Sequence, residues 1–162
     1  MPLFFWTPTI AAALHIFEEF VFPGGFLAWD RRYRPQYATS IGSRFAIIAN
    51  ALLLTLCIQT GFLGARPEGV ALWLAVMALL FTNALYHLRG TIAGRSYSPG
   101  VVTGVLLYIP LAVAGYYHLI HSGQATVRMA VLFFLLGGSY PLISAVLHRA
   151  RSKGQANKDV TN

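Results

Sequence analysis

The sequence predicts an all-α protein: a polytopic bundle of about five transmembrane helices, with the N-terminus outside and the C-terminus in the cytoplasm. Three observations predict it. Of the 162 residues, 56% are hydrophobic and only 10% charged; the apolar residues fall into five long runs; and the basic residues gather between those runs on one side. Soluble domains carry roughly 25% charged residues. A mean hydropathy of +0.59 therefore points to a bilayer as the solvent for most of the surface.

A membrane crossing needs about 20 predominantly apolar residues to traverse a hydrocarbon core ~30 Å thick. Residues 3–22, 44–63, 70–89, 100–120 and 127–147 meet that requirement. Each must be helical, because hydrocarbon offers no partner for an unpaired backbone group and the alternation of a barrel strand is missing. The first run has no basic leader and carries His15, Glu18 and Glu19 where a signal peptide would be apolar, so it is read as a retained span. Pro23-Gly24-Gly25 ends it, Gly61, Gly64 and Pro67 mark the turn after the second, and Ser98-Pro99-Gly100 opens the fourth. Pro110 and Pro141 fall inside the fourth and fifth runs and predict kinks. Residues 1–150 are expected to form one transmembrane domain, and the polar stretch 151–162 a disordered tail.

The loops set the orientation. Arg31, Arg32, Arg34, Arg44, Arg89, Arg95, Arg149, Arg151, Lys153 and Lys158 share one side of a five-helix arrangement, against Arg66 and Arg128 on the other. Short cytoplasmic loops are enriched in Lys and Arg, which places the ten inside and the protein in the cell membrane. The net charge of +7 is thus a topology signal and an attraction to anionic lipid, and argues against a nucleic-acid partner. Cys57 is the sole cysteine, which excludes a disulfide framework and a cysteine-based metal site. The 23–43 connection interleaves Phe26, Leu27, Trp29, Tyr33 and Tyr37 with arginines, the composition of a segment at a headgroup interface. It reads equally as a cover over a site and as a membrane-hugging linker.

Two of the five acidic residues, Glu18 and Glu19, are adjacent within the first run. An acid at a bilayer centre costs at least ~2.5 kcal/mol on insertion scales, so such residues mark function by default. His15 precedes them by three and four residues, placing all three on one helical face. Two neighbouring carboxyls in a low dielectric are not expected both to ionise, so at least one is expected to have a raised pKa, with His15 placed to accept or share that proton. Asn83 and His87 form a second pair at i and i+4 on the third run, at the same depth. His15, Glu18, Glu19, Asn83 and His87 are the candidate catalytic residues, and Asn50, Arg44 and Tyr108 the candidate substrate-binding ones. Asn50 alone reads as readily as interhelical hydrogen-bond glue, worth about 0.6–2 kcal/mol. His118, His121 and His148 read as interfacial residues, and Gly100 with Gly104 as a weak signal for close helix packing.

The runs His15-Ile16-Phe17-Glu18-Glu19 and Asn83-Ala84-Leu85-Tyr86-His87 spell H-x-x-E-E and N-x-x-x-H. With the small multi-span architecture, they resemble the family of integral membrane proteins named for its HXXEE motif. The resemblance implies that His15, Glu18, Glu19, Asn83 and His87 are the functional residues and that the protein belongs among suspected membrane enzymes. It supplies no reaction.

Several functions compete. The first is a membrane enzyme that isomerises or cyclises a lipid, sterol-like or terpenoid substrate by carboxyl and histidine acid–base chemistry, needing no cofactor. The second is a mononuclear iron or zinc enzyme, with ligands drawn from His15, Glu18, Glu19 and His87. A small proton-coupled carrier is the third, for which a homo-oligomer would supply the symmetry that five spans lack. A purely structural role is the fourth.

Overall fold

The computed structural model describes the backbone of residues 2–38 and 42–161 and the side chains of 3–38 and 42–150, and among these every regular element is a helix. A 3₁₀ turn over Pro2–Trp6 leads into α1 (Thr7–Phe20), with Pro8 in its first turn, where a missing N–H costs nothing. The loop at Pro23 gives way to a short α2 (Phe26–Tyr33) and a 3₁₀ turn at Pro35–Tyr37. Then come α3 (Ser43–Leu63), α4 (Pro67–Gly94), α5 (Val101–His121), α6 (Val127–Gly138) and α7 (Tyr140–Thr161).

Ser43–Leu63, Pro67–Gly94, Val101–His121 and Val127–Ala150 are long and apolar enough to cross a membrane. The chain is therefore an all-α membrane bundle. The expected first span differs from the other four: α1 has only 14 residues, because the 3₁₀ turn over Pro2–Trp6 takes its start and the turn leading to Pro23 takes its end. At 1.5 Å per α-helical and 2.0 Å per 3₁₀ residue, α1 and the preceding turn together reach about 31 Å.

Both internal prolines leave the expected marks. The ring of Pro110 removes one helical bond and crowds the carbonyl four residues back; α5 widens to a π turn over Gly104–Tyr108 just before it. Near Pro141 the helix is interrupted at the one residue Ser139, which keeps a right-handed helical backbone, so α6 and the first part of α7 run on as one span. The α7 backbone runs on helically to Thr161 where composition predicts a disordered tail. Extending an existing helix through Ala, Arg, Lys and Gln avoids the cost of nucleation. The side chains of Arg151, Lys153 and Lys158 lie outside those described.

The long α4 is the axle of the bundle. Val70, Trp73, Leu74, Met77, Leu80, Ala84 and His87 recur at helical spacing and are all buried, and α1, α3, α5 and α6 pack around them. Apolar side chains gain nothing by leaving lipid, so such packing depends on small residues that let backbones meet. A β-carbon on Gly137 of α6 would lie 1.9 Å from the Ala75 carbonyl oxygen, and one on Gly104 would lie 3.2 Å from Ala84. A backbone carbonyl cannot swing aside. Gly137→Ala is expected to force α6 from α4 and destabilise by about 1–3 kcal/mol, measured by unfolding in detergent. An unchanged unfolding curve would show that the two helices are not locked there.

Candidate functional site

The face of α1 predicted from spacing is the face that is buried. His15 is 1%, Glu18 6% and Glu19 4% exposed. The N-x-x-x-H face of α4 meets it, and the His15 and His87 ring centroids lie 5.0 Å apart. The start of α5 and the loop before it close the third side.

Glu19 stands between the two imidazoles. Its Oε1 lies 3.5 Å from His15 Nε2 and 3.2 Å from His87 Nε2. One donor atom from each of the three residues falls within 4.8 Å of the other two. Two donors each ~2.0–2.1 Å from one zinc ion sit roughly 3.3 Å apart at tetrahedral angles, so the two spacings from Glu19 suit a shared ion. His87 Nε2 is fully buried and, despite its nearness to Glu19, lacks the alignment of a hydrogen bond.

The far side of each ring is held by a hydroxyl. His87 Nδ1 is 2.9 Å from Ser98 Oγ, and the Ser98 amide in turn donates to Thr91 Oγ1 at 3.2 Å. His15 Nδ1 is 2.8 Å from Thr103 Oγ1. Thr103 has one hydroxyl hydrogen, and the Glu18 carboxylate at 2.5 Å takes it. The Thr103 oxygen must then accept from His15, which puts the proton on Nδ1 and leaves the Nε2 lone pair facing the cluster. Asn83 Nδ2 donates to that lone pair at 3.0 Å, in agreement with the tautomer. Histidine ligands in metal sites are oriented by hydrogen bonds of this kind.

Glu18 and Glu19, adjacent in the chain, meet different partners. Glu18 turns to the start of α5, where it accepts from the Val102 and Thr103 amides at 3.1 and 2.7 Å and from the Tyr97 hydroxyl at 2.5 Å. A carboxylate at a helix N-terminus satisfies orphan amides and complements the helix dipole. Desolvation and the Glu18 carboxylate push the Tyr97 phenol up, which keeps it a donor. Among the metal-ligand candidates, Glu18 is the one that the structure sets apart.

Gly100 forms the floor. Its φ is +102°, and a β-carbon there would meet His15 Cε1 at 2.7 Å and His87 Cε1 at 2.9 Å. Phe26 and Trp29 of α2 form the roof, with ring centroids 5.6 and 6.0 Å from His87. Within this segment Arg34 donates to Asp30, four residues back, through Nε at 2.8 Å and Nη2 at 2.7 Å, and the pair is what ties α2 to α4. Tyr86 of α4 donates its hydroxyl to the same carboxylate, and the Arg34 guanidinium lies over the Tyr86 ring at 4.8 Å. At the other end of the strap, Arg149 Nε donates to Tyr37 at 2.9 Å. Of the two readings of the 23–43 connection, these contacts match the cover.

Tyr108 lies beside the cluster, its ring 4.6 Å from His15 and its buried hydroxyl without a partner. The other two substrate-binding candidates lie elsewhere. Arg44 is exposed at the start of α3, and the Asn50 amide donates to the Ala46 carbonyl one turn back at 3.0 Å. His118 faces Phe4, and His148 packs on Tyr37 and Phe45, both away from the site. Sequence reasoning missed Thr103, Ser98, Tyr97 and Asp30. Of these, only Asp30 had a signal, its i,i+4 pairing with Arg34.

A buried His–Glu–His cluster, held by hydroxyls inside a helical membrane bundle, defines the class of protein. The chain belongs to the family described as "Protein of unknown function with HXXEE motif", which it matches over residues 6–115, and the cluster takes His15 and Glu19 from that motif. It is also 30% identical over 104 residues to "Uncharacterized protein YrkK" of Bacillus subtilis (strain 168), a match covering 62% of this chain and 65% of that protein. No solved structure matches the chain.

Proposed function

We infer that this is a mononuclear metal-dependent enzyme of the cell membrane that acts on a hydrophobic substrate, with His15, Glu19 and His87 as the metal ligands. The convergence of two imidazole nitrogens and one carboxylate oxygen within 4.8 Å of one another, on three buried residues, carries this reading. Two histidines and one carboxylate are a recurrent set for zinc and non-haem iron with open positions for substrate. Zinc there would acidify a bound water, and iron would add oxygen chemistry. The residues of this chain do the rest: Asn83 and Tyr108 offer polar groups beside the cluster, and Phe26 and Trp29 exclude water. In this reading the 3₁₀ turn and α1 supply a fifth crossing. The N-terminus is then outside, with the cluster in the cytoplasmic half of the bilayer, in keeping with the ten-to-two distribution of basic residues.

A second reading keeps acid–base chemistry without metal, with Glu19 and His87 exchanging a proton across their 3.2 Å contact. The Asn83 amide favours it, because it already fills the lone pair of His15 Nε2. Metal analysis of the purified, detergent-solubilised protein separates the two. Expression with iron and zinc supplied is expected to yield near-stoichiometric metal in the wild type and little in Glu19→Gln or His87→Ala. A metal-free but folded wild type would sink the first reading and leave the second.

A further inference from the structure

Helix α1 serves two surroundings with neighbouring residues. His15 and Glu19 face the cluster; Ile16 and Phe20, each the next residue along, line a groove of about 420 Å³ against Ala46, Ile47 and Leu54 of α3, with Leu27 of α2 above it. We propose that this groove seats the hydrocarbon chain of a single-chain amphiphile taken sideways from the membrane, with its polar end at Arg44. This molecule is the substrate of the enzyme inferred above, and the assignment rests on that reading.

Four observations support it. The volume falls in the range of roughly 300–1,000 Å³ typical of small-molecule sites. The lining from Ser43 to Leu54 extends eleven residues along α3, about 16 Å at 1.5 Å per residue, which suits an extended chain better than a compact ring system. The walls are apolar but for Ser43 at one end and Asn50, whose amide is committed to Ala46. The groove is also flanked by outward-facing Ile47 and Phe20, so it opens onto lipid.

Exposed Arg44 follows the lining residue Ser43 at the start of α3 without itself lining the groove; its long side chain is the cation that a carboxylate or phosphate head at the Ser43 end would meet. A chain lying from Ser43 toward Leu54 passes Phe20 and Ile16, at the depth of Glu19 and His15. The ring of Phe26 lies 5.8 Å from that of Phe20, which lines the groove, and 5.6 Å from that of His87 in the cluster, so groove and cluster border one another at Phe26.

The test uses a palmitate carrying a mid-chain diazirine, photolysed with the full-length protein in lipid nanodiscs, with adducts mapped by mass spectrometry. Adducts are expected to concentrate on Ile47, Leu54 and Phe26. They should be lost in Ala51→Trp, which fills the groove from α3, and weakened in Arg44→Gln, while metal content stays as in the wild type. Adducts spread equally over the outward residues Leu106 and Val113, and unchanged in Ala51→Trp, would overturn the proposal and mark the groove as ordinary lipid-facing surface. A dimer cross-linked through α3 that Ala51→Trp prevents would assign the groove to a second copy of the chain and overturn it equally. Groove labelling in a protein without metal would overturn the metal reading alone.

Discussion

Glu18→Gln is expected to lower the metal affinity of the cluster by about 10–100-fold, the usual cost of losing an orienting partner behind a histidine ligand. The carboxylate accepts from two amides and two hydroxyls. A glutamine offers one acceptor oxygen and presents N–H groups to the remaining donors. Thr103 can then accept from the glutamine and donate to His15 Nδ1, which moves the imidazole proton to Nε2 and removes the lone pair from the cluster. Hydrogen bonds to charged groups are worth about 1.5–3 kcal/mol each, so the start of α5 should loosen as well. Metal titration checks the affinity, and the side-chain nitrogen shifts of labelled His15 report the tautomer whether or not metal is bound. Thr103→Ser should retain the wild-type tautomer and Thr103→Val should lose it. A Glu18→Gln protein with the wild-type nitrogen shifts would refute the Glu18–Thr103–His15 chain.

Gly100→Ala is expected to disrupt the site more than any other single methyl group added to the chain. The left-handed conformation costs a residue with a β-carbon about 1–2 kcal/mol, and overpacking a tight site adds about 1–3 kcal/mol. The new methyl would press on the Cε1 atoms of both His15 and His87, so both rings must turn off the hydroxyls that hold them. Gly25→Ala separates the two causes: its φ is +88° with nothing within 4 Å of the added carbon, so it carries the strain without the collision. Unfolding in detergent should show a small loss for Gly25→Ala and a larger one for Gly100→Ala, with metal binding lost only in the second. Equal losses and intact binding in both would show that Gly100 is needed for its backbone alone.

The two predictions rest on residues of different legibility. Gly100 was readable as part of the turn that opens the fourth span, but its contact with both imidazoles was not, because those rings come from residues far away in the chain. Glu18 was readable as an intramembrane acid and was assigned to catalysis with Glu19. Adjacent residues on a helix point about 100° apart, and that angle sends one carboxylate to the start of α5 and the other to the histidines. Sequence periodicity shows that both are buried; it does not show which neighbour each one meets.

What the sequence determined by itself is the all-α membrane class, the places of the four long apolar helices, and the presence of His15, Glu19 and His87 on helical faces at one depth. Those properties follow from local pattern: hydropathy over twenty residues, proline and glycine at the ends, and polar groups at i, i+3 and i+4. Tertiary structure alone decided the short first helix with its 3₁₀ extension, the division of labour between Glu18 and Glu19, and the roles of Thr103, Ser98 and Asp30. A threonine or serine is an ordinary residue in any helix or turn, and becomes a holder of a histidine only when a second helix brings the ring to within about 3 Å of its hydroxyl. That distance depends on how α1, α4 and α5 pack, and packing is a property of all three helices at once.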